Sequence, residues 1–222
     1  MTAASCIEGR NRRKNVSRII DKVIIRKYIS EYFNTSIFSL EDMSVPNNTL
    51  SKFDIIYGID HFHFSRNENA KLVTFATSNR ICFCNSYRPK YYFQIKLHRS
   101  TFEAEYDKWK RYINDAKSFQ KEFLIIPTYF VQSIVHESLR TLIEKYMYRG
   151  WSVEDIEKHL IERYDQFNLD NEVKHIAVAK IVDIIDAIDN GKYTSKEIND
   201  GPSILTWAFV PWTEVNGFEL IK

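Results

Sequence analysis

Hydrophobic positions near the start of the chain recur at intervals of three and four residues. Between Val16 and Phe33 this spacing, with cationic residues between the apolar ones, predicts an amphipathic helix. The same spacing predicts four more helices, at about residues 101–119, 133–148, 153–167 and 171–188. Ser152 and Asp170 stand just before the last two segments, where helix N-caps are expected.

Shorter apolar runs bounded by turn residues predict the strands. They lie at residues 53–64, at 71–77 and 80–84 (a predicted hairpin), at 91–100 and at 123–131. A last apolar segment, residues 203–212, comes near the end of the chain. The order helix, strand, hairpin, strand, helix, strand is typical of an α/β fold.

We therefore expect a mixed central sheet flanked by helices, with a helical C-terminal extension. In this division residues 1–15 form a basic, flexible leader and residues 16–132 form the α/β core. Residues 133–222 form the helical extension, whose terminal apolar segment packs as a strand on the core.

Composition narrows the class of protein further. A hydrophobic fraction of 44% supports a real core and argues against intrinsic disorder. Three cysteines, an odd number without metal-ligand spacing, favour a reducing, cytoplasmic location. No apolar run approaches the ~18 residues of a transmembrane helix, so no membrane association is expected.

Cations cluster at the start of a chain whose net charge is only +2. Such a run is either a solvated leader or an arm that lies on phosphate groups. If it is an arm, Arg12, Arg13 and Lys14 are candidates for contacts with nucleic acid.

One predicted strand carries polar residues that are unusual in a core. Gln94 and Lys96 are two positions apart in YYFQIKLHRS and so lie on the same face. A buried lysine needs a paired charge, and Asp60, which ends another apolar run, is the expected partner if the two strands are neighbours. Asp60 and the Gln94 amide oxygen would ligate Mg²⁺, while Lys96 would orient a water and offset phosphate charge.

These residues resemble the motif of the PD-(D/E)XK nuclease superfamily, particularly its Mrr-like and restriction-enzyme branches. The resemblance rests on Gly58-Ile59-Asp60 and Gln94-Ile95-Lys96 and covers about residues 16–131. It implies a restriction-endonuclease-like core, with Asp60 as metal ligand, Gln94 at the acidic position and Lys96 as the motif lysine. Glu31 would be an additional carboxylate, and His63, His98 and Arg99 further contacts with nucleic acid.

The activity implied is Mg²⁺-dependent hydrolysis of DNA by a restriction-type endonuclease acting as a homodimer. A catalytically inactive protein of the same fold, binding nucleic acid or a protein partner, is the first alternative. An HUH-type nickase is another, with His61 and His63 on the metal and Tyr106 or Tyr112 as nucleophile.

The C-terminal part leaves a separate question open. Residues 150–185 also fit a helix-turn-helix variant, with Lys174, His175 and Lys180 on its second helix. Nearby carboxylates favour dimerisation or packing against the core instead.

Overall fold

The computed structural model describes residues 3–39, 59–65, 71–82, 92–100, 104–119, 128–200 and 203–222. Its helices are α1 (Ala3–Ile20), α2 (Arg26–Tyr32), α3 (Glu105–Phe119), α4 (Glu137–Tyr148), α5 (Val153–Glu162) and α6 (Ile181–Asp189). A π-helical segment, Asp21–Ile25, joins α1 to α2 without a break. These three pieces form one N-terminal helix about 45 Å long, at 1.5 Å per residue.

The strands form two sheets. They are β1 (Phe38–Ser39), β2 (His61–Ser65), β3 (Lys71–Cys82), β4 (Tyr92–Arg99), β5 (Tyr129–His136), β6 (Val173–Lys180), β7 (Thr194–Asp200), β8 (Ser203–Pro211) and β9 (Glu219–Leu220). The larger sheet has the order β1-β2-β3-β5-β6-β9 and is mixed, because β3 and β5 are parallel and the other pairs are antiparallel. The smaller sheet is antiparallel, with the order β4-β8-β7. The α/β class expected from the sequence is confirmed.

Two cores lie on opposite faces of the large sheet, because alternate residues of its strands point to opposite sides. Val131 and Val135 of β5 pack against the N-terminal helix, α4 and α5. Phe130 and Ile134, each directly before one of these valines, pack against the small sheet, α3 and α6. The molecule therefore has three layers, with the large sheet in the middle, and the two outer layers never share a core.

Several sequence expectations are corrected. The basic leader is helical from Ala3 onward, so the predicted first helix is only the second half of a longer one. The predicted hairpin at residues 71–84 is one continuous strand as far as Cys82, because β3 pairs along its length with β2 and then β5. The predicted strand at 123–131 lies outside the described residues up to residue 127, and β5 extends beyond it to His136.

The C-terminal part is less helical than expected. The predicted helix at 171–188 begins as strand β6 and becomes helical only at Ile181, so Lys174 and His175 lie on a strand and no second helix of a helix-turn-helix motif forms there. The predicted boundary at 132/133 falls inside β5, and β6 pairs with β5 in the large sheet. Ser152 is the expected N-cap, since its hydroxyl accepts from the Asp155 N–H at 3.1 Å.

Candidate functional site

Asp60 completes the hydrogen bonding between β2 and β3. Its own N–H donates to the Phe75 carbonyl at 2.8 Å, which extends the ladder by one residue. Its carboxylate Oδ2 accepts from the Thr77 N–H at 2.6 Å and from the Thr77 hydroxyl at 3.1 Å. A side-chain oxygen of Asp60 thus takes the place of a backbone carbonyl as the acceptor for the Thr77 N–H of β3.

Gln94 and Lys96 lie on the outer face of the small sheet. Their neighbours Phe93 and Ile95 are fully buried in the core between the two sheets, so alternation along β4 turns Gln94 and Lys96 away from it. The two polar residues share one face, as the sequence predicts. That face is partly exposed, and the Lys96 side chain is 34% exposed.

The partner of Lys96 is Glu105, in the first turn of α3. The Lys96 ammonium lies 3.2 Å from Glu105 Oε1, and the Lys96 backbone N–H donates to Glu105 Oε2 at 3.3 Å. The ammonium also lies 5.2 Å from the centre of the Trp207 ring on the neighbouring strand. The expectation that Asp60 pairs with Lys96 is therefore wrong.

Strand β4 is an edge strand of the small sheet, and two of its outward N–H groups donate to side chains. Glu105 caps the N–H of Lys96, and the fully buried Gln132 of β5 caps that of Gln94 through its Oε1 at 3.2 Å. This contact also places Gln94 above β5, two strands away from β2. Because strands are 4.7–4.9 Å apart, the backbone of Gln94 lies on the order of 10 Å or more from the backbone of Asp60.

The two predicted Mg²⁺ ligands belong to different sheets. Asp60 belongs to the large sheet, whereas Gln94 is on the outer face of a different sheet. Within the described ranges no group of three or more His, Cys, Asp or Glu side chains is placed to hold a metal. Glu31 lies on the opposite side of the large sheet, in α2, where it is 3.3 Å from Lys27.

The two histidines proposed as metal ligands of an HUH site both face the helical layer. His61 is fully buried, with Nε2 2.6 Å from Asp21 Oδ2 in the π-helical segment. His63 is 8% exposed, stacks on Phe75 and has Nδ1 3.4 Å from the Thr35 hydroxyl. Tyr106 and Tyr112 belong to α3, in the layer on the other side of the large sheet.

The proposed nucleic-acid contacts do not form one surface. His63 is buried, so its side chain is not placed to contact nucleic acid. His98 and Arg99 lie at the end of β4, in the layer of the small sheet. Arg12, Arg13 and Lys14 lie on α1, in the helical layer across the large sheet.

The N-terminal helix concentrates positive charge. Residues 3–32 carry eight Lys and Arg residues against three Asp and Glu residues, in a chain whose net charge is +2. Its central cations are neutralised by α5, since Arg18 lies 3.3 Å from Glu154 and Lys22 lies 3.4 Å from the buried Glu157.

The first half of the helix has a different environment. Arg12 lies over the ring of Tyr148, 4.5 Å from its centre, and donates to the tyrosine hydroxyl. Arg13 and Lys14 are exposed, and neither has an ion pair or a hydrogen-bonded side-chain partner within the described part of the chain. This pair of charges is therefore free to bind an anion from outside.

The second half of the helix is tied to the core through Asp170. Asp170 Oδ1 accepts from the hydroxyls of Tyr28 and Tyr164, both at 2.9 Å, and lies 3.3 Å from the Lys27 ammonium. Burial acts to raise the pKa of Asp170, but the two hydrogen bonds and Lys27 outweigh it, so that pKa is lower than usual. Burial and then the bond to Asp170 raise the pKa of both tyrosines.

Two polar residues that organise these regions escape sequence reasoning. For Glu105, the sequence shows only an acidic residue at the start of the helix that follows β4, which does not identify it as the partner of Lys96. Asp21 sits in a helical segment of five buried residues, next to Lys22, and its spacing gives no sign of a histidine partner 40 residues later.

Comparisons with family models, with curated proteins and with solved structures found no match to this chain. Among the helices in the described ranges, none has the length and apolar character needed to cross a membrane.

Proposed function

We propose that the protein binds nucleic acid through the outward face of its N-terminal helix. The observation that carries the proposal is the exposed pair Arg13 and Lys14, which has no neutralising partner among the described residues, whereas Arg18 and Lys22 of the same helix are ion-paired. Phosphate groups attract such charges, and each contact releases counterions from the nucleic acid.

The shape of the element supports this proposal. Arg13 and Lys14 are neighbours on a helix about 45 Å long, so their charges lie close enough together to contact neighbouring phosphate groups of one duplex. The helix contacts α5 at its centre through Lys22–Glu157 and the core at its end through Asp170. Preorganisation of this kind lowers the ordering cost of binding.

A binding assay with a matched control tests the proposal. A short labelled duplex is titrated with the wild type, with Arg13→Gln/Lys14→Gln, and with Lys180→Gln/Lys196→Gln, which removes the same charge from exposed positions on β6 and β7. We expect the first variant to bind several-fold more weakly than both other proteins. If the two variants bind with equal affinity, the weaker binding reflects only the loss of net charge, and the proposal is contradicted.

A restriction-endonuclease-like activity is the second candidate. It is supported by the resemblance at Asp60, Gln94 and Lys96 and by one geometric observation, the partly exposed Lys96–Glu105 pair on the outer face of the small sheet. Such an activity requires a lysine close to a carboxylate, and this face of the sheet carries both groups. Cutting both strands would call for two copies of the chain.

The cleavage test uses plasmid DNA with Mg²⁺, and the variants Lys96→Ala and Asp60→Asn. A nuclease that uses these residues loses turnover by at least ~10²-fold on removal of the lysine. Cleavage by wild type and by Lys96→Ala at the same rate would end this candidate. DNA binding without cleavage by the wild type would leave the first proposal standing alone.

A further inference from the structure

A groove of about 610 Å³ lies between the N-terminal helix and α5. One wall is formed by the π-helical segment and α2, and the other by α5 and the turn that follows it. Its lining residues are Lys22, Val23, Arg26, Lys27, Ser30, Glu157, Ile161, Tyr164 and Asp165. Small-molecule sites have volumes of roughly 300–1,000 Å³, so the groove is large enough for a compact organic ligand.

The cations of the groove are not equivalent. Lys22 is paired with Glu157 at 3.4 Å, and Lys27 is shared between Glu31 and Asp170 at 3.3 Å each. Arg26 lines the same groove with neither a hydrogen-bonded side-chain partner nor an ion pair within the described ranges. A guanidinium binds phosphate and carboxylate groups in a bidentate manner, so Arg26 is the group that would bind an anion here.

One apolar side chain of the groove, Ile161, is exposed to water. Ile161 is 54% exposed although it belongs to a helix that packs on the core. Tyr164 also lines the groove, but its ring is already buried, with Lys27 4.3 Å from its centre. A ligand with an apolar part would remove the Ile161 side chain from water, which is favourable in proportion to the area covered.

Asp165, in the turn that follows α5, adds a hydrogen-bond acceptor to the groove. It is exposed and, within the described part of the chain, neither ion-paired nor hydrogen-bonded through its side chain. A free carboxylate close to an anion site repels a second anionic group but accepts hydrogen bonds from hydroxyls. The groove thus offers a cation unpaired among the described residues, an exposed hydrogen-bond acceptor and an exposed apolar side chain, which suit a ligand with an anionic group, hydroxyls and an apolar part.

We propose that this groove binds a nucleoside monophosphate. Its phosphate lies on Arg26, its sugar hydroxyls face Asp165, and its base lies against Ile161. The proposal does not depend on the binding of nucleic acid by Arg13 and Lys14, because those residues are not among the residues that line the groove.

Calorimetric titration with adenosine monophosphate, inorganic phosphate and adenosine tests the assignment. We expect the nucleotide to bind more tightly than phosphate or adenosine alone. Binding of phosphate as tight as that of the nucleotide would show that Ile161 takes no part and would overturn the nucleoside assignment. An absence of binding by the nucleotide would overturn the site itself.

Two variants locate the ligand. Arg26→Gln should weaken nucleotide binding about tenfold or more, as expected for the loss of a charged hydrogen bond. Ile161→Asn, at an exposed position, should weaken binding of the nucleotide but not of phosphate. Arg163→Gln, also exposed but outside the groove lining, is the control. Unchanged affinity in Arg26→Gln, with an unchanged unfolding midpoint, would contradict the proposal.

Discussion

Asp60 and Glu105 each accept a hydrogen bond from a backbone N–H at the edge of a strand. Such groups cost free energy when they are left unpaired away from water. A carboxylate at the start of a strand, or in the first turn of the following helix, therefore has a structural use that a motif search does not distinguish from a catalytic one. The same face of β4 still presents Lys96 to solvent, so both uses are compatible at this position.

The buried pair Asp21–His61 gives the first prediction at the residue scale. His61 is fully buried and its Nε2 lies 2.6 Å from Asp21. Asp21→Leu leaves that nitrogen without this acceptor, and we expect the free energy of unfolding to fall by about 1–3 kcal/mol. Asp21→Asn, which keeps an oxygen acceptor, should cost less. Urea denaturation measures both, and a loss below about 0.5 kcal/mol in Asp21→Leu would contradict a stabilising role.

Asp170 gives a prediction about pH. Its pKa is lower in the folded protein than in the unfolded chain, so its contribution to stability is complete above the ordinary carboxyl pKa of ~3.9 and is lost as the pH falls through the folded value. Tyr28→Phe/Tyr164→Phe removes the two hydrogen bonds that lower this pKa. We expect the acid-side decline in unfolding free energy between pH 5 and pH 3 to become shallower in this variant. The effect is small because the Asp170 side chain is 48% exposed, and a decline identical to that of the wild type would refute it.

At the scale of elements, the N-terminal helix is joined to α5 by a buried ion pair. The side chains of Lys22 and Glu157 are only 6% and 11% exposed, and Arg18 is a second partner of Glu157 at 3.5 Å. Removing one member of a buried pair leaves a charge with fewer contacts, whereas replacing both by apolar groups costs much less. Because Glu157 contacts both Lys22 and Arg18, its removal should destabilise the attachment of the N-terminal helix to α5 more than the removal of either cation.

A double-mutant cycle tests this contact between elements. Glu157→Leu should destabilise the protein more than Lys22→Met, because in Lys22→Met the carboxylate keeps Arg18. The double variant should recover part of the loss, with a coupling energy of about 0.5–3 kcal/mol by urea denaturation. Strict additivity of the two single changes would show that the pair does not couple the two helices.

At the scale of the whole molecule, local patterns predict elements better than they predict which elements meet. β4 and α3 lie close to where their periodicity places them, since each is decided by residues within a few positions. Ser78 and Asn79 resemble a turn, yet they continue β3 because β5 pairs alongside and Asn79 donates to the Ser17 carbonyl. β6 and α6 share one apolar run, which periodicity cannot divide.

The candidate site shows the same limit. That Gln94 and Lys96 share a face follows from the alternation of a strand and needs no tertiary information. That Asp60 joins them depends on which strands are neighbours, and the large sheet places β5, not β4, beside β3. The exposed charges Arg13 and Lys14 are visible in the sequence, but only the structure shows which cations of the helix are already paired.

The most direct test of nucleic-acid binding by the N-terminal helix is the dependence of duplex affinity on salt. Each phosphate contact contributes about 0.9 to the slope of log affinity against log salt concentration. We predict a steep negative slope for the wild type, a slope smaller in magnitude by about 2 for Arg13→Gln/Lys14→Gln, and an unchanged slope for Lys180→Gln/Lys196→Gln. The same slope for all three proteins, or an affinity of the wild type that does not change with salt, would contradict the account.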